Sequence, residues 1–124
     1  MDSSNINEVV RNYLDACYES SVEKFRQVLH SAIYLYKHDG VGAMKAITLE
    51  EFIKVVEATY QKSPAPNFPK QDEIVSIDFS DKNNAVARVK VRVGDIMYSD
   101  IISLMLLDGK WMIVSKVFSG APIG

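Results

Sequence analysis

One cysteine, Cys17, stands among the 124 residues, so no disulfide can close within the chain. With only His30 and His38 to accompany it, no zinc-ligand spacing can be written, and no residue calls for a metal or a cofactor. Positive charge is not in excess, since 14 Lys and Arg face 16 Asp and Glu for a formal charge of -2. That balance excludes the basic stripe by which proteins attract nucleic acid. An apolar run of about 18 residues and a charged-then-apolar leader are both missing, so the expectation is a soluble, cytoplasmic chain with no membrane contact. Phosphate-cradling glycine loops, a Gly-x-Ser-x-Gly elbow and internal repeats are missing as well. The length predicts one domain over residues 1–124, able to bury roughly two thirds of its unfolded surface.

What is present begins with strands. From Ala85 to Val93 the side chains alternate, Ala85, Ala87, Val89, Val91 and Val93 on one parity and Val86, Arg88, Lys90 and Arg92 on the other. A strand with one buried face requires that period of two. Gly94-Asp95 offers a turn, and the strand Met97–Leu107 then places Tyr98, Asp100, Ile102 and Leu104 beside Val89 and Val91, an acid on the apolar face. Asp108-Gly109 is a hairpin signal leading into Lys110–Phe118. A two-residue turn there aligns Asp100 with Trp111, Ile113, Ser115 and Val117 and sends Lys116 outward with Arg88 and Lys90. A three-residue loop with a glycine bulge sets Asp100 opposite Lys116. The first keeps Lys116 on the charged face and is preferred.

Helices come earlier in the chain. Asn5 and Glu8 have capping-box spacing, and Ile6, Val9, Val10, Tyr13, Leu14, Cys17 and Tyr18 form an apolar stripe, predicting a helix over 7–18 with Cys17 in the core. Ser20-Ser21-Val22-Glu23 opens a second, short helix through Leu29, ended by His30-Ser31. Ala32–Tyr36 is a short strand, His38-Asp39-Gly40 a turn and Gly42–Ile47 a return arm. Thr48 with Glu51 is a capping box for a third helix, with Leu49, Phe52, Ile53, Val56 and Tyr60 as its stripe. The three prolines of Ser63–Pro69 stop it. Glu73–Phe79 is a strand with Val75, Ile77 and Phe79 inward.

Helices first and strands last, without crossover helices between the strands, predict an α+β fold with a mixed, mainly antiparallel sheet. Three helices cover one face of that sheet, and strong curvature beneath them makes a cone with an internal pocket. The other face carries Ile101, Met105, Leu107, Met112, Val114 and Phe118, too apolar for water alone, which predicts a homodimer through it.

The order of elements resembles the nuclear transport factor 2-like superfamily, known through ketosteroid isomerase and the SnoaL-like polyketide cyclases, and more narrowly the putative lumazine-binding proteins. The likeness is carried by Leu29-His30-Ser31-Ala32, by Ile47–Phe52, Ser76–Phe79 and Asn84–Val89, and by Tyr98–Leu104 followed by Leu107–Phe118. At Ser31-Ala32 the chain departs from the family's His-Pro-Asp pattern. The resemblance implies a cystatin-like roll, a conical pocket and a homodimer.

Among candidate site residues Asp100 comes first, because an inward carboxylate can serve as acid, base or hydrogen-bond partner, although it could equally be tied to a tyrosine or to Lys116. His30, between helix and strand, is a candidate general base. Tyr13, Tyr18, Tyr34 and Tyr98 could turn ring faces and hydroxyls to a flat heteroaromatic, with Trp111 as a cavity wall; each could also be ordinary core. The sequence therefore supports a binding protein for an aromatic or polycyclic metabolite. Its alternative is an isomerase, cyclase or dehydratase in which Asp100 or His30 moves a proton beside a carbonyl and a tyrosine steadies the enolate. A purely structural dimerisation module is the third reading.

Overall fold

A computed structural model describes residues 3–124. The elements follow in the order α1 (Ser3–Glu19), α2 (Val22–Val28), β1 (Leu29–His38), β2 (Met44–Thr48), α3 (Leu49–Lys62), β3 (Asp72–Phe79), β4 (Asn84–Val93), β5 (Ile96–Leu107) and β6 (Lys110–Pro122). The strands make one sheet in the order β2-β1-β6-β5-β4-β3. Only β1 and β6 run parallel; the other four pairs are antiparallel. This is the α+β, mixed but mainly antiparallel arrangement that the sequence predicts. One core joins helices and sheet: Ile6, Val10, Tyr13 and Leu14 of α1 and Ile53 and Val56 of α3 are buried together with Val89, Val91, Ile102 and Leu104.

Local chemistry accounts for most element ends. Thr48 Oγ1 accepts from the Glu51 N–H and the Glu51 carboxylate accepts from the Thr48 N–H, so the capping box starts α3 as read. The Ser21 hydroxyl caps α2 by accepting from the Lys24 N–H. Asn5, expected to cap α1, lies instead inside the helix, which already includes Ser3. Strand β1 starts at once after α2 and runs through Leu29–His38, longer than Ala32–Tyr36, because Leu29 already pairs with Ile113 of β6 and Lys37 and His38 pair with Lys45 and Met44 of β2.

Two of the β-hairpins, β4–β5 and β5–β6, fix the site. Gly94-Asp95 is a two-residue loop, since Val93 pairs with Ile96, and Val89 lies directly opposite Asp100 and Val91 opposite Tyr98. Asp108 (φ 49°) and Gly109 (φ 76°) both adopt positive φ, the two-residue turn whose twist matches the strands, with Leu107 paired to Lys110. The preferred consequence for Lys116 nevertheless fails. Leu104 pairs with Ile113 and Ser103 with Ser115, so Val114 is an extra residue, a bulge that reverses the parity of everything after it. Lys116 and Phe118 turn inward, while Val117, expected inside, becomes half exposed. A second bulge corrects β3. Ile74 pairs with Val89 and Ser76 with Arg88, which leaves Val75 as the extra residue on the exposed side and gives its inward place to Ile74.

Candidate functional site

Beneath α1, α2 and α3 the curved sheet encloses a cavity of about 190 Å³. Tyr13 and Cys17 face it from α1, Phe52 and Val56 from α3, and Val91 and Tyr98 from the sheet, with Asp100, Lys116 and Phe118 also in its wall. Most of these are apolar, so the few polar groups stand out as the means of orienting anything held there.

Three of those groups form one network. The Tyr13 hydroxyl donates to Asp100 Oδ2 at 2.5 Å and accepts from Lys116 Nζ at 2.8 Å. Lys116 Nζ itself stands 3.9 Å from Asp100 Oδ2, and both side chains are buried. Removing two ions from water is costly, and here aromatic rings offset part of that cost. The Lys116 ammonium lies 4.8 Å from the ring centres of Phe52 and Phe118 and 5.3 Å from that of Tyr13. A desolvated contact of this kind contributes about 2 kcal/mol. Asp100 Oδ1 is left buried without a hydrogen-bond partner among the described residues. An ammonium carries three donors, and one of them is committed to Tyr13.

Burial dominates the acid–base behaviour of the neutral groups. It pushes the Tyr13 hydroxyl well above its ordinary value, with the nearby Cys17 and Asp100 adding to the rise. The Cys17 thiol is pushed up to about 12 by burial, against a smaller opposing pull from Lys116. Cys17 is therefore a protonated cavity wall and not a nucleophile. Tyr98, partly buried, is raised by burial and then by Asp100.

Of the seven site residues expected from the sequence, Tyr13, Tyr98 and Asp100 line this cavity. The other four lie elsewhere. His30 is partly exposed, because its parity on β1 is opposite to that of buried Leu29, and its Nδ1 accepts from the Ala32 N–H. Tyr34 stacks on Tyr36 on the outer side and is 47% exposed, because Ile33 and Leu35 take the inward places. The Tyr18 hydroxyl donates to the Phe68 carbonyl and its ring meets Phe68 edge-on, which ties down the proline loop. Trp111 is buried against Phe79 towards the far end of the sheet, where it fills core. Lys116, weighed from the sequence as a partner for Asp100 but placed outward in the preferred register, points inward because of the Val114 bulge. Gly120 was missed by sequence reasoning. It pairs with Tyr98, and a Cβ there would come within 2.9 Å of the Tyr98 ring and 2.8 Å of Ile96. The missing side chain leaves room for the Tyr98 ring beside β6.

Among the described residues no cluster of three or more His, Cys, Asp or Glu could hold a metal ion, and no helix is long and apolar enough to cross a membrane.

A family model described as Putative lumazine-binding matches residues 1–119. The chain belongs to this family. Its fold is shared by solved structures. An NTF2-like protein of unknown function from Silicibacter pomeroyi is 18% identical, with a TM-score of 0.81 over 98% of this chain and 100% of its own. Another NTF2-like protein of unknown function, from Methylobacillus flagellatus, is 28% identical, with a TM-score of 0.77 over 97% and 92%. A ketosteroid isomerase-like protein from Erwinia carotovora atroseptica is 16% identical, with a TM-score of 0.74 over 96% of each chain. None of the curated proteins compared matches the chain. The nuclear transport factor 2-like fold is thus shown, and the family's name points to a small-molecule ligand.

Proposed function

We propose that the protein binds a small flat heteroaromatic metabolite that presents an N–H beside a carbonyl, a pteridine dione such as lumazine being the type. The observation that carries this is one cavity wall that holds both Asp100, whose buried Oδ1 has no hydrogen-bond partner among the described residues, and the Lys116 ammonium, 3.9 Å from its Oδ2. A carboxylate oxygen accepts from a ring N–H while the ammonium donates to the adjacent carbonyl, so one edge of the ring satisfies both. The Tyr13, Tyr98, Phe52 and Phe118 rings supply apolar walls. A volume of about 190 Å³ lies below the roughly 300–1,000 Å³ of drug-sized sites, which favours one or two rings over a polycycle. The test is titration of lumazine, followed by its ring fluorescence, against lumazine methylated at the imide nitrogen. Loss of that N–H, or the change Asp100→Ala, is expected to weaken binding about 10–100-fold, the worth of one hydrogen bond to a charged group. Equal affinity for the methylated ring, or no binding by either, overturns the reading.

The same two residues favour a second reading, proton transfer beside a carbonyl. Asp100 Oδ1 would take a proton from carbon, Lys116 would steady the enolate oxygen, and the proton would return from Asp100 to another carbon, an isomerisation with no net change in composition. His30, outside the cavity wall, has no part in it. Deuterium uptake from solvent at the reacting carbon, abolished by Asp100→Asn, distinguishes turnover from binding alone.

The proposal extends to a homodimer through the outer sheet face. Ile101 pairs across the strands with Val117, and both are exposed, with Met105 nearby on the same strand. A second copy would remove this patch from water.

A further inference from the structure

A second space adjoins the cavity. Where α1 ends and α2 begins, facing the last two turns of α3 and the proline loop, an open groove of about 570 Å³ is lined by Glu19, Ser20, Glu57, Tyr60, Gln61 and Pro66, among others. Ser20 belongs to the walls of both spaces. On α3 the boundary is equally close, for Val56 and Thr59 face the inner cavity while Glu57 and Tyr60 face the groove. Ser20 adopts a positive φ of 51°, the sharp corner that brings the start of α2 over this mouth. The two spaces differ in chemistry. The inner wall is aromatic and aliphatic around Asp100 and Lys116; the groove offers carboxylates, hydroxyls and an amide. Lys24 is held by Glu19 at 2.7 Å, and Glu57 makes no ion pair among the described residues, the Arg26 guanidinium that acts on it being paired with Glu50.

We propose that the groove is a second subsite, holding a hydrogen-bond-donating tail, uncharged or cationic, carried by the ring that sits in the inner cavity. This rests on the ring-binding reading above and adds the shape of the whole ligand. The buried edge of the ring faces Asp100 and Lys116, so a substituent on the opposite edge leaves past Ser20. There it meets oxygen acceptors on Glu57, Tyr60 and Gln61, which suit hydroxyl or amine donors. A phosphate tail would face the unpaired Glu57 carboxylate, with Lys24 and Arg26 already held by Glu19 and Glu50, and is disfavoured. Together the spaces reach the size ordinary for metabolite sites, which the inner cavity alone does not.

The experiment compares four probes on the intact protein: lumazine, and lumazine bearing a polyhydroxylated alkyl, an aminoalkyl or a phosphoalkyl chain on a ring nitrogen distant from the imide. The hydroxylated or amine tail is expected to tighten binding about tenfold over bare lumazine, and the phosphate tail to give no gain. Glu57→Lys, an exposed change outside the inner cavity, is expected to abolish the gain of the amine tail and to improve the phosphate tail, while bare lumazine binds as before. Gln61→Ala should reduce the gain of the hydroxylated tail alone. If bare lumazine binds and neither donor tail adds affinity, or if Glu57→Lys leaves every tail unchanged, the subsite is disproved and the ring reading stands. If no probe binds, both fall.

Discussion

At the scale of single residues the site depends on a buried ion pair mediated by a hydroxyl. A pair of this kind is costly to break and cheap to replace, because removing one partner strands a buried charge. Lys116→Met and Asp100→Leu should each lower unfolding stability by about 3–5 kcal/mol, whereas the double variant should cost far less than the sum. Urea unfolding of the three variants measures this, and additive losses would contradict the coupling. Cys17 gives a pH prediction. Its thiol rises from an ordinary value of 9.0 to about 12 on folding, so the folded state holds the proton more tightly than the unfolded one. That stability is complete below pH 9 and is lost as pH climbs towards 12, with Tyr13 contributing in the same direction at higher pH. Cys17→Ala should therefore flatten the alkaline fall of the melting temperature between about pH 9 and 12, and an unchanged slope would speak against a buried, protonated thiol.

Among the elements, the capped third helix is the one whose start was fully legible. Thr48 and Glu51 satisfy two orphan backbone N–H groups reciprocally, and Thr48→Ala should cost about 1 kcal/mol in thermal unfolding, with the far-ultraviolet spectrum otherwise intact. The bulges were not legible. Val114 and Val75 are apolar residues in apolar-rich strands, and valine suits either face, so nothing local marks them as extra. What forces Val114 out is its surroundings: it lies in the stretch 113–117, where the thirteen-residue β6 is paired on both sides, parallel to β1 and antiparallel to β5. A bulge lets such a strand bend without losing its partners. The cost to sequence reasoning was the aim of Lys116, and with it half of the candidate site.

For the molecule as a whole, the sheet has two unlike faces. Helices cover one, and the other exposes Ile101, Met105 and Val117 in an apolar patch. A homodimer through this patch should appear in analytical ultracentrifugation, and Ile101→Lys with Val117→Glu should be tested as separate single changes. Each is expected to shift the protein to monomer while leaving ligand binding in the inner cavity intact. A monomeric parent protein would remove the dimer proposal.

The sequence by itself determined the element types, the hairpin turns and the inward placement of Asp100, because these follow from side-chain period and from turn residues that act within a few positions of one another. It also determined that Tyr13 would lie on the buried stripe of α1. Only the tertiary structure decided that Tyr13 and Lys116 meet Asp100, positions 87 and 103 residues apart for the two hydrogen bonds that link them, and that the space beside them stays open. Those outcomes depend on how far the sheet curves and on where a long strand takes up an extra residue, and both are set by packing among elements distant in the chain.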